Sequence, residues 1–254
     1  MPILEAKKLN KAYVNSQGFQ QSVLQGIELQ IWPREFVAIM GPSGSGKSTL
    51  LYSISGMDKI SSGSVIFEGH EIADRSEEEL AEVRLTKMGF IFQQMHLLKN
   101  LNIRDNIILS AYRAKKLSRN TINKRANKLM SRTGILSLAD RDITQVSGGQ
   151  LQRAAICRAL INEPLMVIGD EPTGALNSKS AGEIMEILNE INHEGTTILL
   201  ATHDSKVAAN AERILYMLDG KITAQLHLGK YNKVNGNLKN REEQIIAWLY
   251  QLGF

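Results

Sequence analysis

Gly41-Pro-Ser-Gly-Ser-Gly-Lys-Ser-Thr49 directly follows the apolar segment Glu35–Met40 and opens a helix expected over about Gly46–Gly56. Strand, glycine-rich loop and helix in that order are the setting the G-x-x-x-x-G-K-[ST] spacing requires. Gly41, Gly44 and Gly46 let the backbone curl so that successive N–H groups point inward, and the helix N-terminus adds partial positive charge. Lys47 is expected to reach the β- and γ-phosphates of a nucleotide, and the Ser48 hydroxyl to hold Mg²⁺. The rest of the stretch, Pro42, Ser43, Ser45 and Thr49, completes the phosphate loop.

Working outward, Met88–Phe92, Leu165–Gly169 and Thr196–Thr202 are further strand-sized apolar runs, separated by helical patterns. Such alternation predicts a mainly parallel core sheet with crossover helices, an α/β fold. Ile3–Leu9, Val23–Ile31 and Ser64–Phe67 read as strands of a separate N-terminal antiparallel sheet. A helix is expected over Ser180–His193, where Ser180 and Glu183 have capping-box spacing and Ile184, Ile187, Leu188 and Ile191 form the apolar stripe. Leu97–Leu160 is long and helical and interrupts the alternation, so it is read as an inserted helical subdomain.

The third core strand ends in Asp170-Glu171, two acids where a strand emerges at the ligand edge of such a sheet. Asp170 is placed to hold Mg²⁺, and Glu171 to polarise an attacking water, a role that contributes about 10²–10⁴-fold in rate. His203, leaving the fourth strand, serves either as a structural residue or as a contact to the γ-phosphate that keeps the water in line. Gln93, just after Met88–Phe92, can ligate Mg²⁺ through its amide while its loop bends toward the helical insertion.

Val146-Ser-Gly-Gly-Gln-Leu-Gln-Arg153 carries the most specific signal. Ser147 and Gln150 have capping-box spacing, so a helix should start there and run through Leu160. Gly148 and Gly149 in its first turn weaken it by about 1 kcal/mol each, which is understandable if exposed N–H groups must approach a phosphate. That helix end cannot share the pocket filled by residues 41–49 of its own chain. A nucleotide sandwiched between two copies or relatives resolves the conflict.

Together these residues resemble the ATP-binding subunit of an ABC transporter, over about residues 2–225 with every motif in order. The resemblance implies a P-loop NTPase of ABC type, in which 41–49 is the Walker A loop and Gln93 the Q-loop glutamine. Ser147, Gly148, Gly149 and Gln150 would be the signature, Asp170 and Glu171 the Walker B pair, and His203 the switch histidine. Tyr13 would be the aromatic that stacks on adenine, with a half-buried strand tyrosine as the plain alternative. Within the family the motifs look like the branch of macrolide exporters, lipoprotein-releasing systems and antimicrobial-peptide resistance transporters. Val146 stands where leucine is usual, and Asn177 where this branch has aspartate, which puts communication between the two sites in question. The implied partners are an integral membrane permease and a second ATP-binding subunit, a homodimer being expected; the implied cofactors are ATP and Mg²⁺. A signalling or cell-wall-regulating ABC complex that moves no cargo is the alternative. Ribosome-acting relatives carry two cassettes, and DNA-maintenance relatives insert long coiled coils before the signature, whereas 100 residues separate Lys47 from Ser147 here. No nucleic acid is expected.

The chain has 254 residues, a net charge of +4, 43% apolar and 22% charged residues, all ordinary for a globular protein. No apolar run approaches the roughly 18 residues of a membrane helix, and the start lacks a secretory core. With the single Cys157, this predicts a cytoplasmic protein; the resemblance implies that its permease holds it peripherally at the inner face of the membrane. Residues 1–227 are expected to form the ATP-binding domain with the helical insertion at about 97–160. Residues 228–254 are expected to be a tail with a short amphipathic helix capped by Asn240, its Ile245, Ile246, Trp248, Leu249 and Leu252 stripe packing on the domain. Glu68–Glu82 holds seven acids and one base, and Ala111–Thr133 eight bases and no acid. Both read as solvated helix faces, or, for the basic run, as a surface near anionic lipid or an acidic partner.

Overall fold

The computed structural model describes residues 1–14, 18–232 and 237–253, so part of the polar segment 230–240 lies outside the described residues. Met1–Leu80 and Thr197–Phe254 form one compact unit, and Ala81–Thr196 a second. The first stretch carries β1 (Leu4–Val14), β2 (Gln20–Ile31), β3 (Phe36–Met40), α1 (Lys47–Ile54), β4 (Ser62–Phe67) and β5 (His70–Glu71), followed by α2 (Glu77–Lys87). Then come β6 (Met88–Phe92), α3 (Ile103–Ala114), α4 (Arg119–Arg132), α5 (Gly148–Leu160), β7 (Met166–Asp170) and α6 (Ser178–His193). The chain returns through β8 (Thr197–Ala201), α7 (Ser205–Ala208), β9 (Arg213–Leu218), β10 (Lys221–His227) and α8 (Leu238–Gln251).

In the first unit β1 lies between β2 and β4, both antiparallel to it, with β5 outside β4. Along β2, Leu24, Ile27, Leu29 and Ile31 are buried while Gln25, Glu28 and Gln30 face out, the pattern of a sheet with one wet face. A second set of strands runs β10–β9–β3–β8. Here β3 pairs in parallel with both β8 and β9, and every residue of β3 and β8 is buried. Strands β9 and β10 were not expected from the sequence. They form an antiparallel hairpin around Asp219-Gly220, whose φ values of 48° and 74° make the two-residue turn that such dipeptides favour.

A buried ion pair ties this unit together. Arg213 Nε donates to Glu35 Oε1 at 2.7 Å and Nη2 to Oε2 at 3.0 Å, while Nη2 also reaches the Gln30 carbonyl at 2.6 Å. Both side chains are about a tenth exposed. Helix α8 packs onto the same unit: Ile245 is fully buried and Trp248 meets the Tyr216 ring edge-on. Arg241 donates to the carbonyls of Ala209, Ala211, Leu228 and Gly229. The α8 cap is Asn237, not Asn240; its side chain accepts from Lys239 N and Asn240 N.

The second unit pairs β6 with β7 in parallel, from Met88 opposite Met166 to Phe92 opposite Asp170. Helices α3, α4 and α5 share one apolar cluster that includes Ile107, Ile122, Met130, Ala154 and Cys157. Burial there pushes the Cys157 thiol up to about 12, so it carries no thiolate near neutral pH. Helix α6 is capped by Asn177, whose side chain accepts from Ser180 N at 2.9 Å. The expected Ser180–Glu183 capping box is absent because Glu183 instead accepts from Arg153 of α5 at 2.5 Å. Of the basic run, Arg125 reaches the Ile161 carbonyl and Glu163, and Arg132 reaches Glu194. In the acidic run Glu71 is structural: burial pushes its carboxyl up, but donors from Ser64, Ala73, Val65 and Ile72 outweigh that and hold it below the ordinary 4.5.

Two outcomes follow. Arg213→Met leaves the Glu35 carboxylate buried and unpaired, so urea unfolding should show a loss of about 3–5 kcal/mol; the Glu35→Gln, Arg213→Met double variant should lose less than the sum. Because the folded Glu71 value is depressed, its stabilisation is present above the unfolded value and fades as pH falls through the folded one. Wild type and Glu71→Gln should therefore differ most in melting temperature above about pH 5 and converge in acid.

Candidate functional site

The phosphate loop sits in the first unit, between β3 and α1. Gly41, Gly44 and Gly46 have φ values of 150°, 80° and 100°. At Gly41 an added Cβ would lie 2.1 Å from the Met217 carbonyl oxygen, and at Gly46 3.1 Å from the Val23 carbonyl. The first demands glycine outright, and the left-handed backbone disfavours any other residue at the second. Gly220 N donates to the Ser45 carbonyl at 3.1 Å, so the β9–β10 turn braces the loop from behind. Gly220 escaped the sequence reading, although the Asp-Gly dipeptide announces its turn.

Three features of the loop fit a chain of phosphates. Gly46 is the N-cap of α1 and gives its first turn no side-chain cap. Ser45 Oγ is buried and has no hydrogen-bond partner among the described residues. The Lys47 ammonium bends over the loop and donates to the Gly41 and Pro42 carbonyls at 2.8 and 2.9 Å. Anions suit all three: they accept from helix N-terminal N–H groups, from a hydroxyl and from an ammonium. Pro42, Ser43 and Gly44 form the exposed rim of the loop, while Ser48 and Thr49 lie in the first turn of α1. Tyr13, near the end of β1, is 44% exposed, and its hydroxyl donates to Asp58 at 2.6 Å. His203 follows β8 and is exposed, one residue before Asp204, which caps α7 by accepting from Lys206 N.

The second unit holds the remaining candidates. Asp170 ends β7, and Glu171 follows it with φ at 47°, a left-handed conformation that costs a non-glycine residue energy and recurs at functional sites. The chain then turns through Gly174 N to the Glu171 carbonyl, 3.1 Å. Gln93 is exposed after β6 and faces this turn: a Cβ on Gly174 would be 3.0 Å from its Nε2. Gln93 and Glu171 therefore stand at neighbouring strand ends.

In the same unit, Ser147 caps α5 as expected. Its Oγ accepts from Gln150 N, and Gln150 Oε1 accepts from Ser147 N at 2.8 Å. Ser147 and Gly148 are exposed. Near the other end of α5, Arg158 donates to the Met95 and His96 carbonyls at 2.7 Å each, tying the loop after Gln93 to that helix. The sequence carries no signal for that role, because its partners are backbone atoms.

Comparison with known proteins agrees with this geometry. The ABC transporter family pattern matches residues 24–174. The bacitracin export ATP-binding protein BceA of Halalkalibacterium halodurans is 41% identical over 90% of this chain and 90% of its own. The macrolide export ATP-binding/permease protein MacB of Wolinella succinogenes is 40% identical over 98% of this chain, which spans 39% of that relative's length. Among solved structures, a dimeric ATP-binding cassette in a post-hydrolysis state bound to ADP and Pi superposes with a TM-score of 0.83 at 36% identity, covering 90% of this chain and all of the other. No helix among the described residues is long and apolar enough to cross a membrane. An α/β chain with an antiparallel N-terminal sheet, a parallel-dominated core and these motifs in this order, it belongs to the ABC transporter family as an ATP-binding, ATP-hydrolysing cassette.

Proposed function

We propose that this cassette is the ATPase subunit of an exporter: it pairs with a second ATP-binding subunit, most simply another copy, around ATP and so drives a separate integral membrane permease. Gly148 carries the reading. A Cβ there would meet only Leu176 Cδ2, at an ordinary 3.9 Å, so nothing in the chain itself requires glycine. Glycine nonetheless occupies the first turn of α5, where alanine would be up to about 1 kcal/mol better. The open space beside an exposed helix N-terminus is explained by a phosphate brought by a partner.

In this reading Gly41 to Thr49 of one subunit and Ser147, Gly148, Gly149 and Gln150 of the other hold the triphosphate, with Tyr13 stacked on the base. Ser48, Gln93 and Asp170 would hold Mg²⁺, their oxygens suiting a hard cation, which when bound neutralises charge on the phosphates. Glu171 takes a proton from the attacking water and His203 keeps that water in line. Residues 1–227 make up the ATP-binding domain, with 97–160 as its helical insertion and 228–254 as a tail. The permease holds the cassette at the inner face of the cell membrane. The cargo is an antimicrobial peptide, a macrolide or a lipoprotein-like molecule; BceA and MacB, named for bacitracin and macrolide export, support the first two.

Glu171→Gln should bind ATP, lose about 10²–10⁴-fold in turnover and accumulate as an ATP-bound dimer on gel filtration. Lys47→Ala should lose ATP binding by calorimetry. Gly148→Ala discriminates further: the melting temperature should hold or rise, while ATP-driven dimerisation in the Glu171→Gln background weakens by about 5- to 150-fold, the equivalent of one overpacked methyl. Undiminished dimerisation would remove the sandwich.

A further inference from the structure

Lys11 is a buried lysine, 7% exposed on β1, and a buried ammonium needs partners. Its Nζ donates to Asp58 Oδ1 at 2.5 Å and to the Lys59 carbonyl at 2.6 Å. The other Asp58 oxygen accepts from the Tyr13 hydroxyl at 2.6 Å. Lys11 and Tyr13 are two residues apart on β1, across a register shift at Lys11–Ala12, and both side chains reach Asp58. The ammonium lies 4.5 Å from the Tyr13 ring centroid, a cation–π contact that occupies one side of the ring. Tyr13 as a whole is 44% exposed, so a base can reach it.

The network also reaches α1. Asp58, which holds the Tyr13 hydroxyl, lies just beyond α1. Its N–H donates to the Tyr52 carbonyl at 3.1 Å. The ring is thus tied, through Asp58, to the C-terminal end of the helix whose N-terminus carries the phosphate loop. Protonation states agree with these directions. The hydrogen bond to Asp58 holds the Tyr13 phenol above its ordinary value, so it stays a donor. Burial pushes the Asp58 carboxyl up, but the bonds from Lys11 and Tyr13 prevail and hold it below its ordinary value.

We infer that Lys11 and Asp58 are positioning residues for nucleotide recognition: they fix the angle of the Tyr13 ring and lock it to α1, so that base and triphosphate are read by one rigid element. The inference rests on the reading of Tyr13 as the base-stacking residue. A plain structural ion pair would not need the second Asp58 oxygen on the exposed phenol.

The test uses the full chain and two probes, ATP and inorganic tripolyphosphate, each with Mg²⁺, with dissociation constants from calorimetry and melting temperatures alongside. Tyr13→Ala should weaken ATP about tenfold or more and leave tripolyphosphate unchanged. Asp58→Asn and Tyr13→Phe, which remove the same hydrogen bond from either side, should each weaken ATP about three- to tenfold with tripolyphosphate unchanged. Lys11→Met should do the same, and if it does not fold the other two variants decide. In the Tyr13→Ala background, Asp58→Asn should cost nothing further. Unaltered ATP affinity in Asp58→Asn and Tyr13→Phe, beside a loss in Tyr13→Ala, overturns the positioning role and leaves stacking standing. No loss in Tyr13→Ala overturns the stacking reading itself. Equal losses of both probes in Asp58→Asn make the network merely structural and also overturn the proposal.

Discussion

The contact between the Gly41 Cα and the Met217 carbonyl, reinforced by the hydrogen bond from Gly220 N to the Ser45 carbonyl, is the constraint on which the nucleotide site depends. A phosphate loop must present N–H groups in a concave array, a conformation with three positive φ values that has no regular secondary structure to hold it. Here the hairpin of β9 and β10 does the holding. Its position is fixed in turn by the parallel pairing of β9 with β3 and by the Arg213–Glu35 pair at the far end of those strands. The buried ion pair and the phosphate cradle are thus two ends of one mechanical chain. The loop holds this conformation because glycine adopts positive φ without steric cost and β3 and the β9–β10 turn fix the backbone around it.

Glycines in this chain divide by what excludes a side chain. At Gly41, Gly63 and Gly220 the chain's own carbonyls would stand 2.1 to 2.4 Å from a Cβ, so these glycines belong to the fold. At Gly149 the Ser180 hydroxyl, 3.1 Å away, is a flexible neighbour that can give way. At Gly148 there is no such neighbour. A helical glycine that packing does not need leaves open space at the surface; Gly182 inside α6 is open in the same way, and Gly148 differs in standing at an exposed helix N-terminus.

What was legible in the sequence was local. The strand, loop and helix around Lys47 and the Ser147–Gln150 capping box declare themselves within a few residues, and both stand where their spacing put them. The hairpin of β9 and β10 was not legible because Arg213, a charge at a buried strand start, is explained only by Glu35, 178 residues away. Two helix starts were placed three residues late for one reason: each segment offers two capping residues, Asn177 and Ser180, or Asn237 and Asn240. The earlier one wins in both: the residues between join the helix, and the earlier Asn side chain accepts from backbone N–H groups of the first turn. At α6 the decoy was strengthened by Glu183, whose carboxylate goes to Arg153 of another helix. The network around Tyr13 was invisible for the same reason, its members being 45 and 47 residues apart.

That correction bears on Asn177, where the resemblance to the branch leads one to expect aspartate. As the N-cap of α6, position 177 needs an acceptor for Ser180 N, and Asn supplies it at 2.9 Å. Asparagine and aspartate cap helices about equally well, so the fold does not distinguish them. The difference is electrostatic: aspartate would add a full negative charge at the positive end of the α6 dipole, an effect of about 0.3–1 kcal/mol at an exposed terminus. Asn177 leaves that end of the dipole uncompensated, so the turn between Glu171 and α6 presents partial positive charge instead of a carboxylate.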